Sequence, residues 1–129
     1  MRSYLIFRTD RIGDFLLSSI LIKNIKRNNQ DSLITVVCSE KNFEYIKTFK
    51  NIDNVILYKK NLFNFFLILF KLIKIKFNFS IIHDEKNRSK LINFFIRKDN
   101  TLLIKSDTTQ TNISIIKKII KRLGFNYSK

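Results

Sequence analysis

The sequence predicts an α/β fold, a doubly wound parallel sheet covered by helices. Two observations predict it. Five short apolar runs, several rich in β-branched residues, recur along the 129 residues. They read as buried strands without the in-and-out alternation of a half-wet sheet. Polar or helically spaced segments separate them, long enough for right-handed crossovers between parallel strands.

Taken in order, Tyr4-Leu5-Ile6-Phe7 is a compact apolar run suited to a buried strand. Over 14–28, Phe15, Leu16, Ile20, Leu21 and Ile25 fall near a 3.6-residue period and predict a helix, which Asn28-Asn29-Gln30-Asp31 breaks. Residues 33–38 (Leu-Ile-Thr-Val-Val-Cys) form a second strand. Ser39 stands as an N-cap for a helix over 40–49. Residues 54–58 give a third strand. The stretch 62–77 is apolar nearly all round, with Lys71, Lys74 and Lys76 late, where cations suit a helix end. It predicts a buried helix in preference to a membrane anchor. Residues 79–82 form a fourth strand. A helix over 87–97 turns Leu91, Ile92, Phe94 and Phe95 inward, and Thr101-Leu102-Leu103-Ile104 is the fifth strand. A polar loop over 106–111 leads to a last helix over 113–123, with Gly124 at its C′ position.

Length and composition bound the rest. The chain is one domain, large enough for a core of its own. Hydrophobic residues are 45% and charged residues 27%, which excludes wholesale disorder. One cysteine, Cys38, excludes a disulfide scaffold, and with one histidine, His83, it cannot build a structural zinc site. No metal site is expected. Cys38 reads as core and His83 as a structural histidine at a strand end. No apolar run reaches the 18 or so residues of a membrane span, and none near the start resembles a secretory leader. The reading is cytoplasmic.

The net charge is +15. Such a charge suits nucleic acid or an anionic membrane. Yet Ile, Lys, Asn and Phe, at 22, 18, 14 and 13, supply just over half the chain, while there are two glycines and no proline. That is the signature of an A/T-rich genome, and it yields basic charge without a functional demand. The excess is spread along both halves. Aromatic residues sit mostly in apolar periodic segments rather than between basic ones, so nucleic acid is not the expected partner.

In open parallel sheets, ligands gather at the carboxyl ends of the strands. The loop after the first strand, Arg8-Thr9-Asp10-Arg11-Ile12-Gly13-Asp14, is dense in charge and holds one of the two glycines. A glycine kept in so glycine-poor a chain implies a positive φ or the close approach of a ligand. The loop matches neither the G-x-G-x-x-G fingerprint nor the phosphate-binding loop. Asp14 has two readings. At a helix start a carboxylate caps and complements the dipole; at a strand end it can accept a proton from an attacking hydroxyl. Arg11 has two as well, an anion clamp or an ion-pair partner for Asp10 or Asp14.

The stretch Arg8-Thr9-Asp10-Arg11-Ile12-Gly13-Asp14-Phe15-Leu16-Leu17-Ser18-Ser19 resembles the opening motif of the heptosyltransferases, glycosyltransferase family 9. Residues 31–41 resemble that family's second strand and the turn after it, 54–59 its third strand, and Arg88-Ser89 a pair after its fourth. The close over 113–125, ending Arg122-Leu123-Gly124-Phe125, resembles the helix that ends the family's N-terminal domain. The sequence departs from the pattern at Ile20, where proline is usual, and over 82–86, which holds no glycine.

The resemblance implies the Rossmann-like N-terminal half of a two-domain (GT-B) glycosyltransferase. It implies a glycan or lipid-linked sugar acceptor on this domain and a nucleotide-sugar donor on a second, separately encoded domain. Asp14 matches the general base of an inverting transfer, and Thr9, Asp10, Arg11 and Gly13 match the acceptor loop around it. Arg88 and Ser89 face the same cleft or, for Ser89, cap the helix. The chain alone is expected to be inactive. Peripheral contact with an anionic membrane through 62–77 would suit a lipid-linked acceptor in lipopolysaccharide synthesis. A non-catalytic basic binding module and a truncated, inactive fragment are the alternatives.

Overall fold

The computed structural model describes residues 2–8, 12–82, 86–103 and 112–125, and for 12–17, 112, 113 and 115 it describes the backbone alone. The chain alternates strand and helix: β1 (Ser3–Arg8), α1 (Ile12–Asn28), β2 (Leu33–Ser39), α2 (Phe43–Ile46), β3 (Asn54–Tyr58), α3 (Leu62–Ile73), β4 (Lys76–Ile82), α4 (Asn87–Phe95), β5 (Arg97–Leu103) and α5 (Asn112–Arg122). The strands form one sheet of order β3-β2-β1-β4-β5, every pair parallel. Tyr4 pairs with Ile34 on one side and Phe79 on the other, so β1 is central.

Strand alternation divides the core in two. Tyr4, Ile6, Ile34, Val36, Cys38, Ile81 and Leu102 point to one face, where α1, α2 and α5 supply Leu21, Ile25, Ile46, Ile116 and Ile120. Leu5, Phe7, Val37 and Ile82 point to the other, against Ile68 and Leu72 of α3 and Ile92 of α4, and Phe77 joins them from the start of β4. Full burial of each such side chain contributes about 1.5–3 kcal/mol, which is why both faces must be covered. The two windings run in opposite directions from β1 and β4, so the topological switch lies between these strands.

The structure corrects the sequence reading in five places. The helix expected over 40–49 is a single turn, and Ser39 ends β2 instead of capping it; the N-cap residue is Asn42. The helix expected over 62–77 stops at Ile73, and β4 starts at Lys76. Phe77, at the start of β4, packs into the α3–α4 core, while Phe79 lies flat against Tyr4 with ring centroids 5.5 Å apart. Further, α3 is not buried all round, because Phe63, Phe66 and Phe70 are exposed. On α4 only Ile92 of the four expected residues turns inward; Leu91, Phe94 and Phe95 are exposed. The fifth strand also starts early, at Arg97.

At the other end the expectation holds. Gly124 adopts φ +83° and closes α5. Its N–H donates to the Lys121 carbonyl, and the Phe125 N–H to the Ile120 carbonyl, both at 3.0 Å. This paired pattern is the Schellman motif.

Candidate functional site

The carboxyl edge of the sheet is built by the ends of β1, β2, β3 and β4. Phe7 and Ile82 are register partners at the switch point, and from there the chain leaves toward α1 on one face and α4 on the other. Topology therefore brings the start of α1, with Gly13 and Asp14, and the start of α4, with Arg88 and Ser89, to one edge. Thr9, Asp10, Arg11 and His83 lie outside the described residues. Gly13 and Asp14 are the second and third residues of α1. The helix starts earlier than the sequence suggests, which puts Asp14 inside the first turn, where the helix dipole favours negative charge. Helical backbone at Gly13 does not fit a left-handed turn.

Beneath this edge, Asn42 fastens two strand ends. It is wholly buried. Its Nδ2 donates to the Arg8 carbonyl at 3.3 Å, and its Oδ1 accepts from the Ser39 N–H at 3.0 Å. The last residue of β1 and the last of β2 thus share one side chain, which fixes the two strand ends against each other.

Next to this, on the α3–α4 face, lies a cavity of about 430 Å³. Tyr58, Phe65, Leu62 and Leu91 form apolar walls, while Lys60, Asn61 and Arg88 supply polar groups. Arg88 is the second residue of α4, half-buried, with its guanidinium carbon 5.0 Å from the centroid of the Tyr58 ring. Tyr58 is the last residue of β3. The turn between β3 and α3 is held by two asparagines. Asn61 Oδ1 accepts from the Asn64 N–H at 2.7 Å, and Asn64 Oδ1 accepts from the Lys59 N–H at 2.6 Å. The first of these is an N-cap, and it sets Lys60 and Asn61 against the cavity. Among the described residues, two cations, no carboxylate and an aromatic wall line it, and they suit a ligand with an apolar face and an anionic or hydroxyl-rich rim.

Ser89 is buried in the first turn of α4 and does not line this cavity. Nor does it cap the helix, whose N-cap residue is Lys86 without a side-chain bond. Tyr58, Lys60 and Asn61 escaped the sequence reading, although the polar run Lys59-Lys60-Asn61 after the third strand carries the same strand-end signal as 8–14.

A second depression, about 470 Å³, lies among Lys23, Lys26, Arg27, Gln30, Lys50 and Asn51. It adjoins the amino end of β2, the wrong edge for a ligand in such a sheet. Lys26 there is committed to structure, 2.9 Å from Asp53 Oδ2 and 2.6 Å from the Ser32 carbonyl. Cys38 is core: burial pushes its thiol up to about 12, and Sγ lies 3.6 Å from the Ile56 carbonyl. Among the described residues, no group of three or more His, Cys, Asp or Glu side chains could hold a metal ion.

This sheet order, with its crevice between β1 and β4, defines a Rossmann-like domain. Three solved structures share the fold over nearly the whole chain. A glycosyl transferase family 9 protein from Veillonella parvula superposes with TM-score 0.76 at 16% identity, over 97% of this chain and 42% of that one. The E. coli heptosyltransferase WaaC with ADP gives 0.80 at 12%, over 98% and 49%. The same enzyme with ADP-2-deoxy-2-fluoro heptose gives 0.68 at 14%, over 98% and 50%. The chain thus spans half or less of the length of each. The resemblance to family 9 glycosyltransferases holds at the level of the fold. No family model and no curated protein matches the sequence.

Proposed function

We propose that the chain is the acceptor-binding domain of a glycosyltransferase of the heptosyltransferase kind. One observation carries the reading. The Arg88–Tyr58 cavity lies at the carboxyl edge of a sheet whose fold is that of the family 9 structures, the edge where β1 ends at Arg8 and α1 begins. In this reading the nucleotide-sugar sits on a second domain, as ADP accompanies the E. coli enzyme.

Asp14 takes the proton from an acceptor hydroxyl as its oxygen attacks the anomeric carbon. The new glycosidic bond forms on the face opposite the departing nucleotide, so the configuration inverts. Arg88 and Lys60 hold an acidic group of the acceptor, and Tyr58 supports an apolar face of its ring. Thr9, Asp10, Arg11 and Gly13 contribute to acceptor binding. The acceptor is a lipid-linked glycan, and the reaction belongs at the inner face of the cell membrane.

The test is a transfer assay on the chain alone and with a nucleotide-sugar-binding domain supplied in frame or in trans. Transfer is expected with the second domain and not without it. Asp14→Ala should abolish it while leaving the circular dichroism unchanged. Full transfer by the Asp14→Ala protein would remove Asp14 from the mechanism.

A further inference from the structure

We propose that the outer face formed by α3 and α4 docks on an anionic lipid bilayer. The inference stands on exposure and charge and is independent of the transferase reading. On α3, Phe63, Phe66, Leu67 and Phe70 follow i, i+3, i+4, i+7 spacing, which ordinarily marks a core stripe. Here the stripe points outward. Phe63 is 75% exposed and Phe70 58%, while Ile68 and Leu72 on the opposite side of the helix are buried against the sheet. On α4, Leu91, Phe94 and Phe95 repeat the arrangement at i, i+3, i+4, with Phe94 76% exposed. The two helices lie side by side on one sheet face, so the stripes form one apolar surface. An exposed aromatic surface of this kind marks an interaction site.

Charge selects the occupant. Between residues 59 and 82, and again between 86 and 98, there are lysines and arginines and no Asp or Glu. Lys60 and Lys74 stand at the two ends of the α3 stripe, with Lys71 and Lys90 beside the apolar residues, all four exposed. An apolar strip framed by cations complements acyl chains below anionic headgroups. A second copy of the same face would set lysine against lysine in a protein of net charge +15. Neither helix is long enough to cross a bilayer, so both lie in the interface plane.

The test is co-sedimentation with vesicles of equal parts phosphatidylglycerol and phosphatidylcholine, against phosphatidylcholine alone, at near-physiological salt. Binding to the anionic vesicles is expected, with at least about tenfold less to the neutral ones. Phe63→Ser with Phe70→Ser should weaken it about tenfold, and so should Lys71→Glu with Lys74→Glu. Phe94→Ser, on the other helix, provides an independent variant, and circular dichroism checks the folding of each. No binding to anionic vesicles overturns the proposal. So does binding that the Phe variants leave unchanged, since net charge alone would then explain it. A dimer in analytical ultracentrifugation that Phe63→Ser converts to monomer also overturns it, because a second copy would then cover the face. The assay reads no sugar transfer, so its failure leaves the acceptor-domain reading untouched.

Discussion

The Arg88 guanidinium rests 5.0 Å from the centre of the Tyr58 ring and so joins the first turn of α4 to the last residue of β3. These residues are 30 positions apart, and the sheet order puts two strands, β2 and β1, between β3 and β4. Only the crossover of α3 to the far face brings the two together. The contact sets the guanidinium against the aromatic wall of the cavity.

Arg88→Ala removes a cation–π contact worth about 0.5–1 kcal/mol. It should weaken binding of a hexose phosphate about tenfold or more, the loss expected for a hydrogen bond to a charged group. Arg88→Lys keeps the charge but not the planar fork and should recover only part of the affinity. Titration followed by NMR reads both. Unchanged affinity in Arg88→Ala would place the ligand elsewhere.

Asn42 invites a sharper stability test. Its side chain is wholly buried and bonded at both ends, to the Arg8 carbonyl and the Ser39 N–H. Asn42→Ala strands both partners and should cost about 1–3 kcal/mol in urea denaturation. Asn42→Asp should cost more. It can accept from Ser39 but brings a second oxygen, and a buried charge, toward the Arg8 carbonyl.

How much of this was legible follows from the physics of each element. The buried strands were, because Leu33–Ser39 and Asn54–Tyr58 need continuous β-branched or apolar runs whatever the rest of the chain does. Gly124 was, because a left-handed residue after a helix has few other candidates. The junction at Ile73 was not. Residues 62–77 read as one apolar helix, and nothing local shows that Phe77 is needed under β1. The inward face of α4 was misread for a related reason. Periodicity identifies a stripe but not the side that meets the sheet. For the site, the strand-end rule points to an edge of the sheet, yet Tyr58 and Arg88 meet only through tertiary structure.

The ion pairs differ in worth. Asp53 Oδ2 accepts from Lys26 Nζ at 2.9 Å and from the Ile34 N–H at 2.8 Å, which ties the turn before β3 to the start of β2. Asp99 pairs with Lys76 at 3.3 Å, and both side chains are well exposed. Asp53→Ala should cost about 1–2 kcal/mol, mostly through the unpaired Ile34 amide. Asp99→Ala should cost under about 0.5 kcal/mol. Added salt should narrow neither the order nor most of the gap, since the larger loss is a hydrogen bond to backbone.

At Gly124 the cost is conformational alone. A Cβ built there meets nothing within 4 Å, so the φ of +83° is the whole penalty. Gly124→Ala should lower stability by about 1 kcal/mol, and Gly124→Asn by less, because asparagine tolerates the left-handed region. A steric account would predict the reverse order, asparagine being larger. Thermal denaturation of the two variants separates them.

Cys38 gives the pH dependence. Burial holds its thiol up at about 12 against an ordinary 9.0. From about pH 9 upward the unfolded chain gives up this proton while the folded chain keeps it. The unfolded state then binds fewer protons, so the thiol's share of stability, complete below pH 9, drains away as pH rises toward 12. Tyr4, whose phenol burial also raises, although Arg2 opposes it, works in the same direction. Cys38→Ala isolates the thiol. The cavity it leaves costs the same at any pH, whereas the titration is gone. The stability gap between wild type and Cys38→Ala should therefore shrink between about pH 8 and about pH 10.5. A gap that stays constant would mean the thiol ionises as it does in water. In that case a disulfide reagent would label Cys38 in the native protein at about pH 8 as fast as in urea, where a buried, protonated thiol would resist it.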